Sequence, residues 1–179
     1  YKSIPEFELV NFAITMDEFK FIYWWEWGHR QLARFIGIVW LVGFMTLWIR
    51  NQIPERWTFY FLAIGLLGAL QAFLGWWMVS SGLDGQVVDV FSYRLAIHLT
   101  MAFIILALIF WAILFHSENS AVLFESRRYR NKLSVNILFV LGVLCYLQLA
   151  LGALVAGIDA GRGYNDWPLM NGNWIPDDL

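Results

Sequence analysis

Cysteine is almost missing from this chain. The single Cys145 cannot close an internal disulfide, so no covalent framework holds the fold, and within its apolar run it reads as a small buried hydrophobe. Charge is scarce too: 15% of residues are Asp, Glu, Lys or Arg, where a soluble domain carries about 25%. No segment has the density of basic residues that a nucleic-acid binder needs, so nucleic acid is not an expected partner. A cleavable secretory signal is absent as well, because the chain opens Y-K-S-I-P-E-F-E, polar and without Met. It stops in an equally polar W-I-P-D-D-L. Both ends read as cut, and a piece of a longer membrane protein is expected.

Apolar residues fill the space that charge leaves. They make up 60% of the 179 residues, 18% of the chain is aromatic, and the mean hydropathy is +0.58. Four stretches carry no charge: 35–49, 57–83, 95–115 and 133–158. A helix needs about 20 residues to cross the roughly 30 Å hydrocarbon core, and three of the four have them. The first has 15 residues and must extend backwards through Arg34 and His29 to span. Thr15-x-x-Glu18 is a capping-box start for that longer helix, and no Pro interrupts the way to Arg50. The expected fold is all-α, a polytopic membrane bundle with four transmembrane helices over 35–158. Residues 1–34 then form a loop with an amphipathic helix leading into the first span, and 159–179 form a second loop.

Loop charges orient the bundle. Arg50 and Arg56 flank Pro54, and Arg127, Arg128, Arg130 and Lys132 crowd the other loop of the same side. By the positive-inside rule that side faces cytoplasm or matrix. Glu6, Glu8, Asp17, Glu18, Asp84, Asp89, Asp159, Asp166, Asp177 and Asp178 mark the opposite side, where both chain ends should lie. One internal echo exists: L-Q-A-F-L-G at 70–75 returns as L-Q-L-A-L-G at 147–152. Gln71 and Gln148 read either as interhelical hydrogen bonders beside small residues or as traces of a duplicated bundle.

Chemistry concentrates in W-W-E-W-G-H-R at 24–30. His29 lies 21 residues from Arg50 and His98 lies 18 from His116, about 31 and 27 Å along helices counted from the inner side. The two imidazoles thus reach nearly one depth, whereas His116 reads as interfacial. A histidine pair on different helices, with no Cys or carboxylate cluster, suits an iron porphyrin held axially. The plainer alternative is that each His hydrogen-bonds across the bundle. Gly28, Gly37, Gly43, Gly65, Gly68 and Gly75 would leave room beside the backbone. Arg30, Arg34, Arg94 and Arg162 stand on the side where basic residues are least expected. They read as partners for haem propionates or as side chains snorkelling to headgroups. Glu26 precedes His29 by three residues and shares its helix face. It could act on a developing cation, take a proton, or support His29. Trp24, Trp25 and Trp27 read as an interfacial aromatic belt.

Several segments together resemble the heme A synthase family, closest to its alphaproteobacterial and mitochondrial branch. They are I-P-E-F-E-L-V-N, E-F-K-F-I-Y-W-W-E-W-G-H-R-Q-L-A-R, L-G-W-W-M-V-S-S-G-L, Y-R-L-A-I-H-L and L-G-A-L-V-A-G-I-D-A-G-R-G-Y-N-D-W-P-L-M-N-G, in order along most of the chain. The resemblance implies eight helices in two similar halves, of which this chain would hold the second to fifth. It implies oxidation of the C8 methyl of heme O to a formyl group, making heme A for terminal oxidases. The family's E-x-x-H falls on Glu26 and His29 and its next histidine on His98, so these two histidines would flank the iron. A second histidine pair, holding a haem b, would belong to absent helices. Heme O synthase and an electron donor are the implied partners, membrane lipid the surroundings, with a homo-oligomer left open. The expected location is a bacterial or mitochondrial inner membrane. Some members carry a Cys pair in the first outer loop; residues 1–34 have none, which counts against a thiol-dependent step. The rival reading is a non-catalytic bis-histidine cytochrome b-type electron carrier, which would have no need of Glu26.

Overall fold

A computed structural model describes residues 5–9, 12–80, 90–163, 166, 168–169 and 172–174. The helices in chain order are α1 (Pro5–Leu9), α2 (Met16–Ile49), α3 (Glu55–Ser80), α4 (Ser92–Ser117), α5 (Ser120–Arg128), α6 (Lys132–Gly157) and α7 (Ala160–Gly163). Four of them, α2, α3, α4 and α6, are long and apolar enough to cross a membrane. The first span does extend backwards. Thr15 caps α2, with its hydroxyl accepting from the Glu18 amide while the Glu18 carboxylate takes the Thr15 N–H at 2.8 Å. No break occurs at Arg34, and the 34 residues of α2 measure about 51 Å, well beyond a 30 Å hydrocarbon core.

Each turn follows from local chemistry. α2 ends in a Schellman-type stop: Asn51 takes φ +52°, the Asn51 N–H reaches the Trp48 carbonyl and the Gln52 N–H the Leu47 carbonyl. Pro54 cannot continue a helix from behind, and α3 starts immediately after it. The side chain of Asn119 accepts from Ala121 N–H to open α5, and that of Asn131 accepts from Leu133 and Ser134 to open α6. The basic segment after His116 is thus partly helical, in a helix of only nine residues.

Helices α2, α3, α4 and α6 pack in sequence order, each against the next; among the described residues no Cα of α2 comes within 8 Å of α4 or α6. The α4–α6 seam is made of small residues. Ala96 and Ala153 are buried, and a Cβ on Gly157 would stand 2.7 Å from the Ser92 Cα. Ser92-x-x-x-Ala96 thus meets Ala153-x-x-x-Gly157, the spacing that lets two backbones approach where no hydrophobic effect drives helices together. The α3–α4 seam is polar at intervals. Tyr60 Oη donates to the Leu108 carbonyl at 2.7 Å, Gln71 Nε2 to the His98 carbonyl at 3.0 Å, and Arg94 Nη1 to the Trp77 carbonyl at 2.8 Å. α2 holds on to α3 by inserting the Trp40 indole where Gly65 lacks a side chain.

Most apolar side chains remain exposed, and α2 has no buried residue. In a bilayer that surface meets lipid, which is as apolar as leucine. Cys145 corrects the expectation of burial: it is exposed, because among the described helices α6 packs only on α4 and α7. The echo also dissolves in space. Gln71 is half-buried against α4, whereas Gln148 is exposed and Gly152 faces open space. Asp84, Asp89, Asp177, Asp178, the end of the second apolar stretch at 81–83, and the side chains of Glu6 and Arg162 lie outside the described residues.

Gly157→Ala should weaken the α4–α6 seam by about 1–3 kcal/mol through overpacking. Gly142→Ala, which meets nothing within 4 Å, should not. Thermal unfolding of the two variants in detergent, side by side, checks the difference.

Candidate functional site

His29 and His98 come from helices that do not touch, yet the two rings lie close enough for a charge on one to act on the other. They differ in how firmly they are held. His29 is exposed on α2, while His98 is half-buried on α4. The His98 ring rests against α3: a Cβ on Gly75 would come within 2.8 Å of its Cε1. Gln71, one turn earlier, places its amide nitrogen 3.5 Å from His98 Nε2. Hydrogen bonding across the bundle, one of the two readings open from the sequence, therefore describes His98 in part. Among the described residues His98 Nδ1 and Gln71 Oε1 are nonetheless buried without a hydrogen-bond partner. Left so in hydrocarbon, such groups cost about 1–3 kcal/mol each.

Glu26 and His29 share a face as expected, but the carboxylate has another partner. Arg30 Nη2 lies 3.3 Å from Glu26 Oε2. At 3.6 residues per turn, His29 lies about 60° to one side of Glu26 and Arg30 about 40° to the other. The ion pair therefore draws the carboxylate away from the imidazole. Both side chains are more than half exposed, so the pair is worth at most a few tenths of a kcal/mol and yields easily to a better partner. Arg34 is exposed one turn beyond Arg30.

Arg94 is occupied differently from Arg30. Besides the Trp77 carbonyl, its Nε meets Tyr93 Oη at 3.2 Å, and its guanidinium stacks 4.3 Å over the Trp77 ring. A cation on the last-turn carbonyls of α3 complements that helix's dipole. This role needs no propionate. Arg162 belongs to α7. His116 is structural: its Nδ1 is 2.8 Å from the Ala112 carbonyl and its ring packs 4.5 Å from Trp57. Of the six glycines expected to leave room, Gly65 and Gly75 are filled by Trp40 and His98; Gly28, Gly37, Gly43 and Gly68 face open space.

Gln71 is the residue that sequence reasoning passed over as a site member. A lone amide in an apolar helix was the available signal, but nothing in one dimension could show that α3 sets it against His98.

The donor set suits an axially held porphyrin. Among the described residues no group of three or more His, Cys, Asp or Glu converges, which leaves a pair of imidazoles and open coordination elsewhere. An imidazole on each of α2 and α4, with the two backbones apart, fits that group, while among the described residues His98 Nδ1 lacks the acceptor that commonly orients a ligating histidine.

Residues 1–179 match a family described as cytochrome oxidase assembly protein, COX15-CtaA. The chain is similar to heme A synthases of several bacteria. It is 50% identical over 179 residues to that of Cereibacter sphaeroides strain ATCC 17025, covering all of this chain and 46% of the relative. It is 51% identical over 176 residues to that of Dinoroseobacter shibae, covering 98% and 46%. With that of Paracoccus denitrificans it shares 49% over 179 residues, covering 100% and 47%. The chain thus spans about half the length of the curated relatives it matches. No solved structure matches it.

Gly75→Ala should push the His98 ring off α3, whereas Gly68→Ala, which meets nothing within 4 Å, should leave it in place. In the full-length protein the first should lower bound haem several-fold and the second leave it unchanged, as read by the pyridine haemochrome of purified protein. Equal haem in both would remove Gly75 from the site.

Proposed function

Since this chain belongs to the COX15-CtaA family of cytochrome oxidase assembly proteins, we propose that it is the substrate-binding part of a heme A synthase. In this reading it works in a bacterial or mitochondrial inner membrane, with the histidine end of the bundle on the periplasmic or intermembrane side. Heme O enters between α2 and α4. The observation that carries the proposal is the meeting of His29 and His98, from helices without backbone contact, within electrostatic reach of each other.

Heme O would supply the iron and the C8 methyl; turning that methyl into a formyl group replaces two hydrogens by oxygen and removes four electrons, which an external oxidant must take up. The chain's own residues do the rest. His29 and His98 would hold the iron. Glu26, one helical turn from His29, accepts a proton released at the methyl carbon, since conversion of a methyl to a formyl group removes hydrogen from that carbon. Arg30 is matched to two tasks. It pairs with Glu26, and it would release the carboxylate where a propionate offers a bidentate partner. Arg34 and Arg162 offer further cations for the propionates, and Arg94 can do so only with the donors that Trp77 and Tyr93 leave over. The aromatic walls and the lipid-facing helices keep bulk water out. A haem b in the remaining half of the full-length protein, an external electron donor and delivery by heme O synthase complete the proposal.

His29→Ala and His98→Ala in the full-length protein should each abolish haem binding at this site and the production of heme A. Unchanged haem content and unchanged heme A in both would refute the ligand assignment. Glu26→Gln should retain haem yet lower the heme A to heme O ratio, measured by chromatography of membrane extracts, by about a hundred-fold. Full conversion by that variant would favour the rival, an electron carrier's histidine pair with Glu26 in a supporting role.

A further inference from the structure

The amide of Gln71 faces two atoms of one residue. Its nitrogen is 3.0 Å from the His98 backbone oxygen and 3.5 Å from His98 Nε2. A carbonyl oxygen can only accept, so the atom opposite it must be the amide nitrogen; the reversed amide would set two acceptors against each other. The side chain's orientation is therefore dictated by the helix backbone of α4. With one N–H spent on the carbonyl, the other is turned toward the ring. A proton on Nε2 would then point at an N–H, donor against donor. Nε2 must instead carry its lone pair, and the proton of the neutral ring resides on Nδ1. Among the described residues nothing else competes for that decision, because Nδ1 is buried and has no hydrogen-bond partner there, and Gln71 Oε1 is likewise unpartnered. Gly75 completes the arrangement by bringing α3 against the ring at Cε1.

We infer that Gln71 is a positioning residue that fixes the tautomer of His98, holding Nε2 unprotonated and ready to ligate iron before haem arrives. This rests on the haem site proposed above. At 3.5 Å the contact with Nε2 is at the outer limit of a hydrogen bond. It suffices to exclude a proton but surrenders the lone pair to a metal. Turning the ring onto iron leaves the shorter bond to the His98 carbonyl intact, so α3 and α4 need not separate. A histidine in the opposite tautomer would first have to move its proton from Nε2 to Nδ1, in a span where no bulk water can carry it.

The test is nitrogen-15 NMR of histidine-labelled, haem-free full-length protein, with the His98 signals identified by their loss in His98→Ala. In the unmodified protein His98 should show a protonated Nδ1 and an unprotonated Nε2. Gln71→Leu should release the ring to the Nε2–H form that free imidazole prefers. Gln71→Met, likewise without an N–H to set against the ring, should do the same. Both variants should bind haem about five-fold more weakly, the equivalent of one ordinary hydrogen bond. A merely structural role for Gln71 would lower thermal stability without moving the tautomer. Protonated Nε2 in the unmodified protein overturns the inference without any variant, and so does an unchanged tautomer in both variants. Unaltered haem content in His98→Ala would instead overturn the haem site, leaving the tautomer result to stand or fall by itself.

Discussion

Hydrocarbon offers no hydrogen bonds, and the bundle is organised around that fact. Polar side chains within the spans gain by finding partners on neighbouring helices, and α3 and α4 supply partners to each other at three levels. Tyr60 reaches Leu108, Gln71 reaches His98 and Arg94 reaches Trp77, each bonding a side-chain donor to a carbonyl of the facing helix. Carbonyl oxygens have a second lone pair free for this purpose, so the helices are stapled without breaking their own ladders. Measured values for such bonds in membranes average about 0.6 kcal/mol. Their effect here is less to stabilise than to fix register, and register is what sets His98 beside Gly75.

The site combines one rigid and one loosely held wall. His98 is clasped by α3 on one side, and its helix is tied on the other to α6 through the small-residue seam. His29 rides on α2, which touches only α3 among the described helices and has no buried residue. An assembly of this kind can admit a flat, bulky group between α2 and α4 without repacking its core. Trp40 in the gap at Gly65 lies 11 residues from His29, about 16 Å along the helix. It anchors α2 to α3 while leaving the histidine end of that helix outside any tight seam.

Much of the fold was legible because the physics of a bilayer is one-dimensional along the chain. Charge-free stretches at 95–115 and 133–158 lie within or nearly coincide with α4 and α6, and the capping box at Thr15 announced where α2 begins. The basic α5 escaped notice because nine residues make too few turns for an apolar period to stand out, and the helix depends on its Asn119 cap. Cys145 was misjudged because apolar surroundings in sequence do not say which face of a membrane helix another helix covers, and its face of α6 is exposed in this chain. Within the site, the i, i+3 relation of Glu26 and His29 was readable, and the i, i+4 pair with Arg30 could have been. The occupation of Arg94 by Trp77 could not, since those residues lie 17 apart on different helices.

By itself, then, the sequence determined that this is a four-span helical membrane chain, with Glu26 and His29 on one helix face. Those properties follow from composition, periodicity and rise per residue, which need no neighbours. Only the tertiary structure decided that α2 stays clear of α4 and that His98 leans on Gly75. It alone set the Gln71 amide at the imidazole and turned the Glu26 carboxylate toward Arg30. Helix pairing in lipid depends on where small residues allow backbones to approach and where carbonyls can receive donors. Such complementarity belongs to two surfaces at once, and no single segment encodes it.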